Sequence, residues 1–476
     1  MGEPERQVNS VSVTPRPAHL GAAHRLVGGS MRTHIRGRLL GALALVVTVA
    51  AASSCVEKTT VVQESSPTSA APVYGGELAG GPTVVSQFPG VETSFGKLPS
   101  EPKPAGTDNP IVVGMINQEN TPLGSFPEIR LAAESAVTWI NTELGGVDGR
   151  PIQLETCITT FSVEKSQACA QEMVQKGAVA VTAGIDVSSN GSIPILEQNQ
   201  VPLIGGVPVN NDEMKSPISF QFSGGSPGAM AAFADYAANT QHAKKVVVIY
   251  GDYAPIKEAA VNYGSAVLKR NGVTDVTEIA YPITSTDFLP TLTKAKQLEP
   301  DAIFLAAADT ACAPAMKTAY DLGITAKMYL VGACAAPAIA DQIGEAAVAG
   351  RIFNIEGPLQ VSGPPEAAIY GAAVAKYGDP KLPIASAGTI GFRNVMNLYA
   401  MMLELGPDNI SRQSLLDHAR AAVDHPSFNG HNYTCDGKQV PDLPALCAPQ
   451  EILVEHRDGT LAQLSDWIDV PALLQG

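Results

Sequence analysis

From residue 110 onward, short β-branched runs alternate with helix-length amphipathic segments, and few folds are compatible with that order. Ile111–Ile116 is almost wholly apolar, as a strand covered on both faces must be. Between Pro127 and Leu144 the apolar residues Ile129, Ala133, Val137, Ile140 and Leu144 recur at three- and four-residue steps, and Gly145-Gly146 ends the run. A helix with one buried stripe is expected there, with Trp139, one position off the stripe, at the margin of the core. Further strands are expected at 152–157, 178–182, 201–204, 245–250, 276–281, 302–306, 327–331 and 350–355, and helices at 163–175, 255–271, 288–298 and 312–322. This order predicts an α/β fold of parallel sheets with right-handed crossovers, whose ligand sites lie at the carboxyl ends of the strands. About 365 ordered residues exceed what one core supports, so two lobes are expected.

The front of the chain has a different character. Arg32, Arg36 and Arg38 precede an apolar run from Leu39 to Ala52, and then comes Ala52-Ser53-Ser54-Cys55. A basic segment, a short apolar one and small residues describe a signal peptide over 1–54. The apolar run is shorter than the roughly 20 residues that span a bilayer. Met31 stands just before the basic cluster, so 1–30 reads as an extension from an upstream start. Cys55 after small residues is similar to a bacterial lipobox, with Ala52 where Leu is preferred; cleavage without lipidation is the alternative. Residues 55–107 are rich in Ser, Thr, Pro and Gly and read as a flexible tether. Loss of residues 1–54 takes the formal charge from −15 to −19. So acidic a body disfavours nucleic acid and anionic lipid surfaces as partners.

Seven cysteines occur, and assigning Cys55 to lipid leaves six. Their spacing suggests that Cys157 pairs with Cys169, Cys312 with Cys334 and Cys435 with Cys447. This is one of fifteen possible connectivities, and full pairing is consistent with an oxidising compartment. On this reading the bond from Cys312 to Cys334 staples adjacent strand ends and does not touch solute. There is no Cys-x-x-Cys, and the five histidines after residue 54 are scattered without ligand spacing, so no metal site is expected. Neither a dinucleotide fingerprint nor a phosphate-binding Gly-x4-Gly-Lys loop is present, and no cofactor is expected.

The segment Ile140-Asn141-Thr142-Glu143-Leu144-Gly145-Gly146-Val147-Asp148-Gly149-Arg150-Pro151-Ile152 resembles the type I periplasmic-binding-protein superfamily, in its leucine/isoleucine/valine-binding branch. Supporting stretches are 178–184 with Ser188-Ser189, Gln200–Ile204, Asp287-Phe288 and Glu299–Ile303, and the likeness runs over about 108–470. The resemblance implies two Rossmann-like lobes joined by three crossovers, 108–229 plus 358–450 and 230–357 plus 451–476. It implies a monomeric, non-catalytic protein that closes on a small solute outside the cytoplasmic membrane and hands it to the permease of an ABC importer. A sensor that presents solute to a membrane receptor is the alternative. Carried over residue by residue, the ligand contacts fall at Gln118, Phe126, Ser188, Ser189, Gly206, Val207 and Tyr253. The usual hydroxyl in Gly205–Val209 is missing, and so is the usual acid in 331–336, for which Asp309 is a substitute. Ser188 and Ser189 as helix caps, Tyr253 as a hinge aromatic and Asp309 as an N-cap are the structural alternatives. These departures weaken the expectation of a branched-chain amino acid and leave other small polar or amphipathic solutes open.

One motif suggests an enzyme. Gly224-Gly225-Ser226-Pro227-Gly228 fits the Gly-x-Ser-x-Gly of hydrolases. The residue after the serine would have to donate its N–H to an oxyanion, and Pro227 has none. A serine hydrolase is therefore the remote reading.

Overall fold

The computed structural model describes residues 81–121, 123–358 and 364–475. The expected leader, Cys55 and tether residues 55–80 lie outside them. Two sheets carry the body. The first has five parallel strands in the order Ile152–Thr159, Ile111–Gln118, Ala180–Ala183, Leu203–Ile204, Ser219–Phe220. The second has seven, in the order Thr460–Gln463, Ile452–Arg457, Ile352–Ile355, Lys327–Leu330, Ala302–Ala306, Lys245–Gly251, Asp275–Tyr281. Side-chain alternation in this sheet feeds a core on each face. Val246, Val248 and Phe304 enter one, while Val247, Ile249, Ile303 and Leu305 enter the other.

The expectation of purely parallel sheets is corrected at one edge. Ile452–Arg457 runs antiparallel to Ile352–Ile355 and turns back into Thr460–Gln463. Asp458 and Gly459 make that turn with φ of 52° and 76°, the pair of positive values that a tight Asp-Gly hairpin needs. The chain passes between the sheets three times, after Phe220, after Ile355 and before Ile452.

The described chain also differs from the expected tether over 81–107. Val84 and Val85 are wholly buried, and their amides donate to the Glu143 carboxylate at 3.0 and 2.8 Å. Phe95 lies 6.1 Å from Trp139 and 5.7 Å from Tyr399, ring to ring, and Lys103 and Ala105 donate their amides to the backbone at Glu143 and Asn141. A few apolar residues in a Ser/Pro/Gly-rich stretch are enough to fasten it to a ready-made hydrophobic surface. Trp139 is accordingly no margin residue: this strap and Phe392, 6.0 Å away, enclose it completely.

All three cysteine couples suggested by spacing are bonded. Cys157 joins Cys169 at a Cα–Cα distance of 5.5 Å, tying the Ile152–Thr159 strand to the Val163–Gln175 helix that follows it. Cys312 joins Cys334 at 5.1 Å. These two lie just beyond the carboxyl ends of the adjacent strands Ala302–Ala306 and Lys327–Leu330, where a staple of strand ends was expected. Cys435 joins Cys447 at 4.5 Å and closes a loop within 422–450, a stretch with little regular structure of its own. Each closed loop is short, so each bond contributes about 2–4 kcal/mol in the chain-entropy account.

Candidate solute-binding cleft

The carboxyl ends of both sheets face one cavity of about 200 Å³. Phe126, Phe161, Ile185, Val187, Val207 and Val209 enter from loops of the five-stranded sheet. Ile256, Ile283, Asp309, Val331, Ile355 and Glu356 enter from the seven-stranded side. The starts of two helices, Gly225–Asp235 and Gly388–Leu405, close the ends with Ser226, Ala229, Ser386, Thr389 and Ile390. Most of this wall is aliphatic or aromatic. Among the described residues no Lys, Arg or His lines it.

Several backbone donors near the wall that could grip an anion are already in use. Val207 N–H donates to Gly184 O at 3.0 Å, and the amides of Ser188 and Ser189 donate to Asp186 at 3.1 Å. At the start of Gly225–Asp235, Gly225 N–H donates to Ser223 Oγ, Ser226 N–H donates to Pro208 O, and Pro227 has no N–H. A helix N-terminus attracts anions through its free N–H groups, and here the first ones have partners within the chain. Gly205-Gly206 makes the close turn under Val207 with φ of 76° and 124°. A Cβ at Gly205 would lie 2.2 Å from the Asn394 side chain, so the absent hydroxyl reflects a packing constraint on this turn.

Three bonds cross the cavity mouth. Ser125 N–H donates to Asp309 at 3.4 Å, Tyr253 Oη to Val187 O at 3.1 Å, and Asn211 Nδ2 to Glu258 at 2.8 Å. Tyr253 also packs on Phe161 at 5.7 Å.

Beneath the cavity the three passages between sheets meet in a buried polar hub. Arg393 Nη2 lies 2.7 Å from Glu356, whose other carboxylate oxygen accepts from Ser223. Asn354 donates to Glu451 at 3.1 Å and accepts from Gly332 N–H. Burial, with Glu356 close by, pushes the Glu451 pKa well above its ordinary value. Burial also lifts Glu128 to about 7, with Asp309 and Glu119 adding to the rise, and lifts Asp309 itself. Glu213, whose carboxylate accepts from Val209 and Asn210 N–H at the cavity rim, is pushed up to about 8 by burial and then by Asp186. The surroundings of the cleft therefore carry several acids, and the Arg393 guanidinium is paired with one of them.

Of the residues expected to touch solute, the structure gathers Phe126, Val207 and Asp309 on the cavity wall. It places Gln118, Ser188, Ser189, Gly206 and Tyr253 behind or beside it. Gln118 is fully buried and braces two loops, donating to Leu123 O and Gly124 O and accepting from Val187 N–H. Ser189 Oγ accepts from Asn210, and Ser188 is buried in the turn around Asp186. The helix that follows them starts after Ser192, so neither serine is its N-cap. Asp309 caps nothing through its own side chain beyond Thr310 N–H. Ser226 lines the cavity with no described imidazole on the wall. The disulfide residues Cys157, Cys169, Cys312, Cys334, Cys435 and Cys447 are absent from the described lining, so their bonds brace the fold around the cleft and present nothing to a solute. The hub and the 386–390 wall were not among the expected site residues. Arg393, Asn394 and Asn397 in the midst of a mostly apolar 18-residue helix were the available signal.

The model of the family described as periplasmic binding protein matches residues 110–442. No match to a curated protein is found by sequence. Similar solved structures include a leucine-binding protein from Thermotoga maritima, 19% identical over 75% of this chain and 98% of its own, with a TM-score of 0.62. A fatty acid ABC transporter substrate-binding protein from Thermomonospora curvata is 16% identical over 78% and 96%, at 0.66. A solute-binding protein of an ABC transporter from R. palustris, in complex with 4-hydroxybenzoate, is 20% identical over 76% and 98%, at 0.61.

Proposed function

The chain belongs to the periplasmic binding protein family, and from that premise we propose that it is an extracytoplasmic lipoprotein that captures a small, mainly apolar solute lacking a free carboxylate. Cys55 would carry the lipid, and the closed, loaded form would deliver the solute to an ABC importer's permease. The observation that carries this reading is the cavity wall: mostly aliphatic and aromatic side chains, two acids in Asp309 and the Arg393-paired Glu356, and no cation among the described lining residues. A carboxylate buried without a charged or N–H partner costs several kcal/mol or takes up a proton. The similar proteins that bind leucine, a fatty acid and 4-hydroxybenzoate all take carboxylates. This cleft offers such a group little, because the amides of Val207, Ser188, Ser189, Gly225 and Ser226 are bonded internally and Arg393 is paired with Glu356.

Apolar burial supplies the affinity, at about 25 cal/mol per Å². Asp309 is placed to accept one hydroxyl or ammonium hydrogen, and Phe126 and Val207 form the wall opposite. Gln118, Ser188, Ser189 and Gly206 hold that wall in shape, and Tyr253 latches the mouth. At about 200 Å³ the cavity is below the ~300–1,000 Å³ of drug-sized sites, so the solute is smaller than a drug. Thermal-shift screening against short aliphatic and aromatic alcohols, amines and acids tests the proposal. Alcohols or amines should raise Tm most; a panel led by acids would refute it.

A further inference from the structure

At the far end of Gly388–Leu405 from the cleft, three potential metal ligands that are scattered in sequence come together: Glu404, His418 and His425. His418 Nε2 lies 2.9 Å from one carboxylate oxygen of Glu404, and His425 Nε2 lies 2.9 Å from the other. All three ligand atoms are within 4.8 Å of one another. Fifteen residues of helix at 1.5 Å each separate Glu404 from Thr389 on the cavity wall, about 22 Å, so this cluster is independent of solute binding.

The hydrogen-bonding partners of His425 point to a cation. Its Nδ1 is 2.9 Å from Pro426 O, a carbonyl that can only accept, and its Nε2 faces the Glu404 carboxylate, which also accepts. A neutral imidazole has one N–H and satisfies only one of the two, so the second acceptor calls either for an imidazolium or for a metal ion on the other nitrogen. With Nδ1–H given to the carbonyl, the Nε2 lone pair is left facing a carboxylate. A metal ion between them removes the clash, and a backbone carbonyl on the other ring nitrogen is the usual way a ligating histidine is oriented. The ring is further held by stacking on the buried Tyr433 at 4.7 Å. Glu404 stands in the last turn of Gly388–Leu405 and His418 in the last turn of Arg412–Ala421, and helix carboxyl ends favour a cation.

We propose that Glu404, His418 and His425 form a binding site for a first-row divalent ion of the Zn²⁺ type, with water as the fourth ligand. Zinc–nitrogen bonds of about 2.0–2.1 Å give tetrahedral ligand–ligand separations of roughly 3.3 Å, so the two 2.9 Å contacts open by a few tenths of an ångström and all three ligand atoms, already within 4.8 Å of one another, settle to that separation. The partly exposed Glu404 carboxylate can turn to allow this. Two imidazoles and a single carboxylate suit zinc far better than magnesium, which prefers oxygen ligands. The bound ion would pin the 388–405 helix to the 412–421 helix and to the 425–433 loop.

The test is zinc titration of the untagged full chain by calorimetry and thermal shift, comparing wild type with His418→Gln, His425→Gln and the double variant. The wild type should bind one ion that at least tenfold weaker binding in either single variant identifies with this site, with Tm raised by zinc only in the wild type. X-ray absorption should show two imidazole nitrogens, and millimolar Mg²⁺ should not compete. Equal zinc binding by wild type and double variant, or none by the wild type at 100 µM, overturns the proposal. Zinc-free melting of each variant separates a folding defect from the loss of a ligand.

Discussion

The cleft wall and the hub beneath it are a few residues apart in sequence and opposite in chemistry. Val331 and Ile355 face the cavity, while the neighbouring Gly332 amide and Asn354 and Glu356 side chains bond into the hub. The hub takes the charges: Arg393 is held by Glu356, and burial raises the pKa of Glu451. The rest of the wall is mostly aliphatic and aromatic, and Asp309 is its one acid outside the hub. What separates a hinge from a binding surface here is whether each polar group finds its partner within the chain. A guanidinium spent on joining three crossings is not available to a ligand.

The largest effect is expected where that separation is broken. Arg393→Met leaves Glu356 as a buried carboxylate without its cation, and breaking a buried pair typically costs about 3–5 kcal/mol. Denaturant unfolding should show a loss of that size, and Glu356→Gln combined with Arg393→Met should recover part of it.

A second buried acid tests the same logic through pH. The folded pKa of Glu213, about 8, lies above its unfolded value of 4.5, so the folded chain binds more protons between them. Its contribution to stability therefore falls as pH rises from 4.5 towards 8. Glu213→Gln should flatten that part of a stability-versus-pH curve measured by urea unfolding. An unchanged slope would mean that the carboxyl is not proton-bound in the native state.

Changes in the wall should act on binding more than on folding. Phe126→Ala removes an aromatic from the cavity and should weaken an apolar solute by about 10- to 100-fold in calorimetry, or about 1.4–2.8 kcal/mol. Smallest of all, Tyr253→Phe deletes the hydroxyl bond to Val187 O across the mouth. A net contribution of about 0.5–1.5 kcal/mol per hydrogen bond puts the loss in solute affinity at about 2- to 12-fold, read as faster release.

Much of the fold was legible because its signals are local. The Ile111–Gln118 and Ala302–Ala306 strands are β-branched or small apolar runs, and the Gly145-Gly146 stop fixes where the first long helix ends. The cysteine couples were legible for the same reason, since 12 residues separate Cys157 from Cys169, 22 separate Cys312 from Cys334, and 12 separate Cys435 from Cys447. The strap at 83–106 was misread because composition averages away the few apolar contacts, at Val84, Val85 and Phe95, that fasten it. The family resemblance pointed to Phe126 and Val207 and offered Asp309 as a substitute acid, and these three line the cavity. The direction in which a loop side chain turns depends on partners distant in sequence. Gln118 turns inward because Val187 N–H lies 3.2 Å away, 69 residues on. Glu404, His418 and His425 likewise show no ligand spacing, because two helices and a loop bring them together.

The central claim is that the cleft selects an apolar solute without a free carboxylate. Calorimetry with 3-methylbutan-1-ol, 3-methylbutylamine and 3-methylbutanoate, three ligands with one carbon skeleton, tests it most directly. The alcohol or the amine should bind at least tenfold more tightly than the acid at pH 7. Tightest binding by the acid would contradict the claim and would require a cation or free amides at the wall.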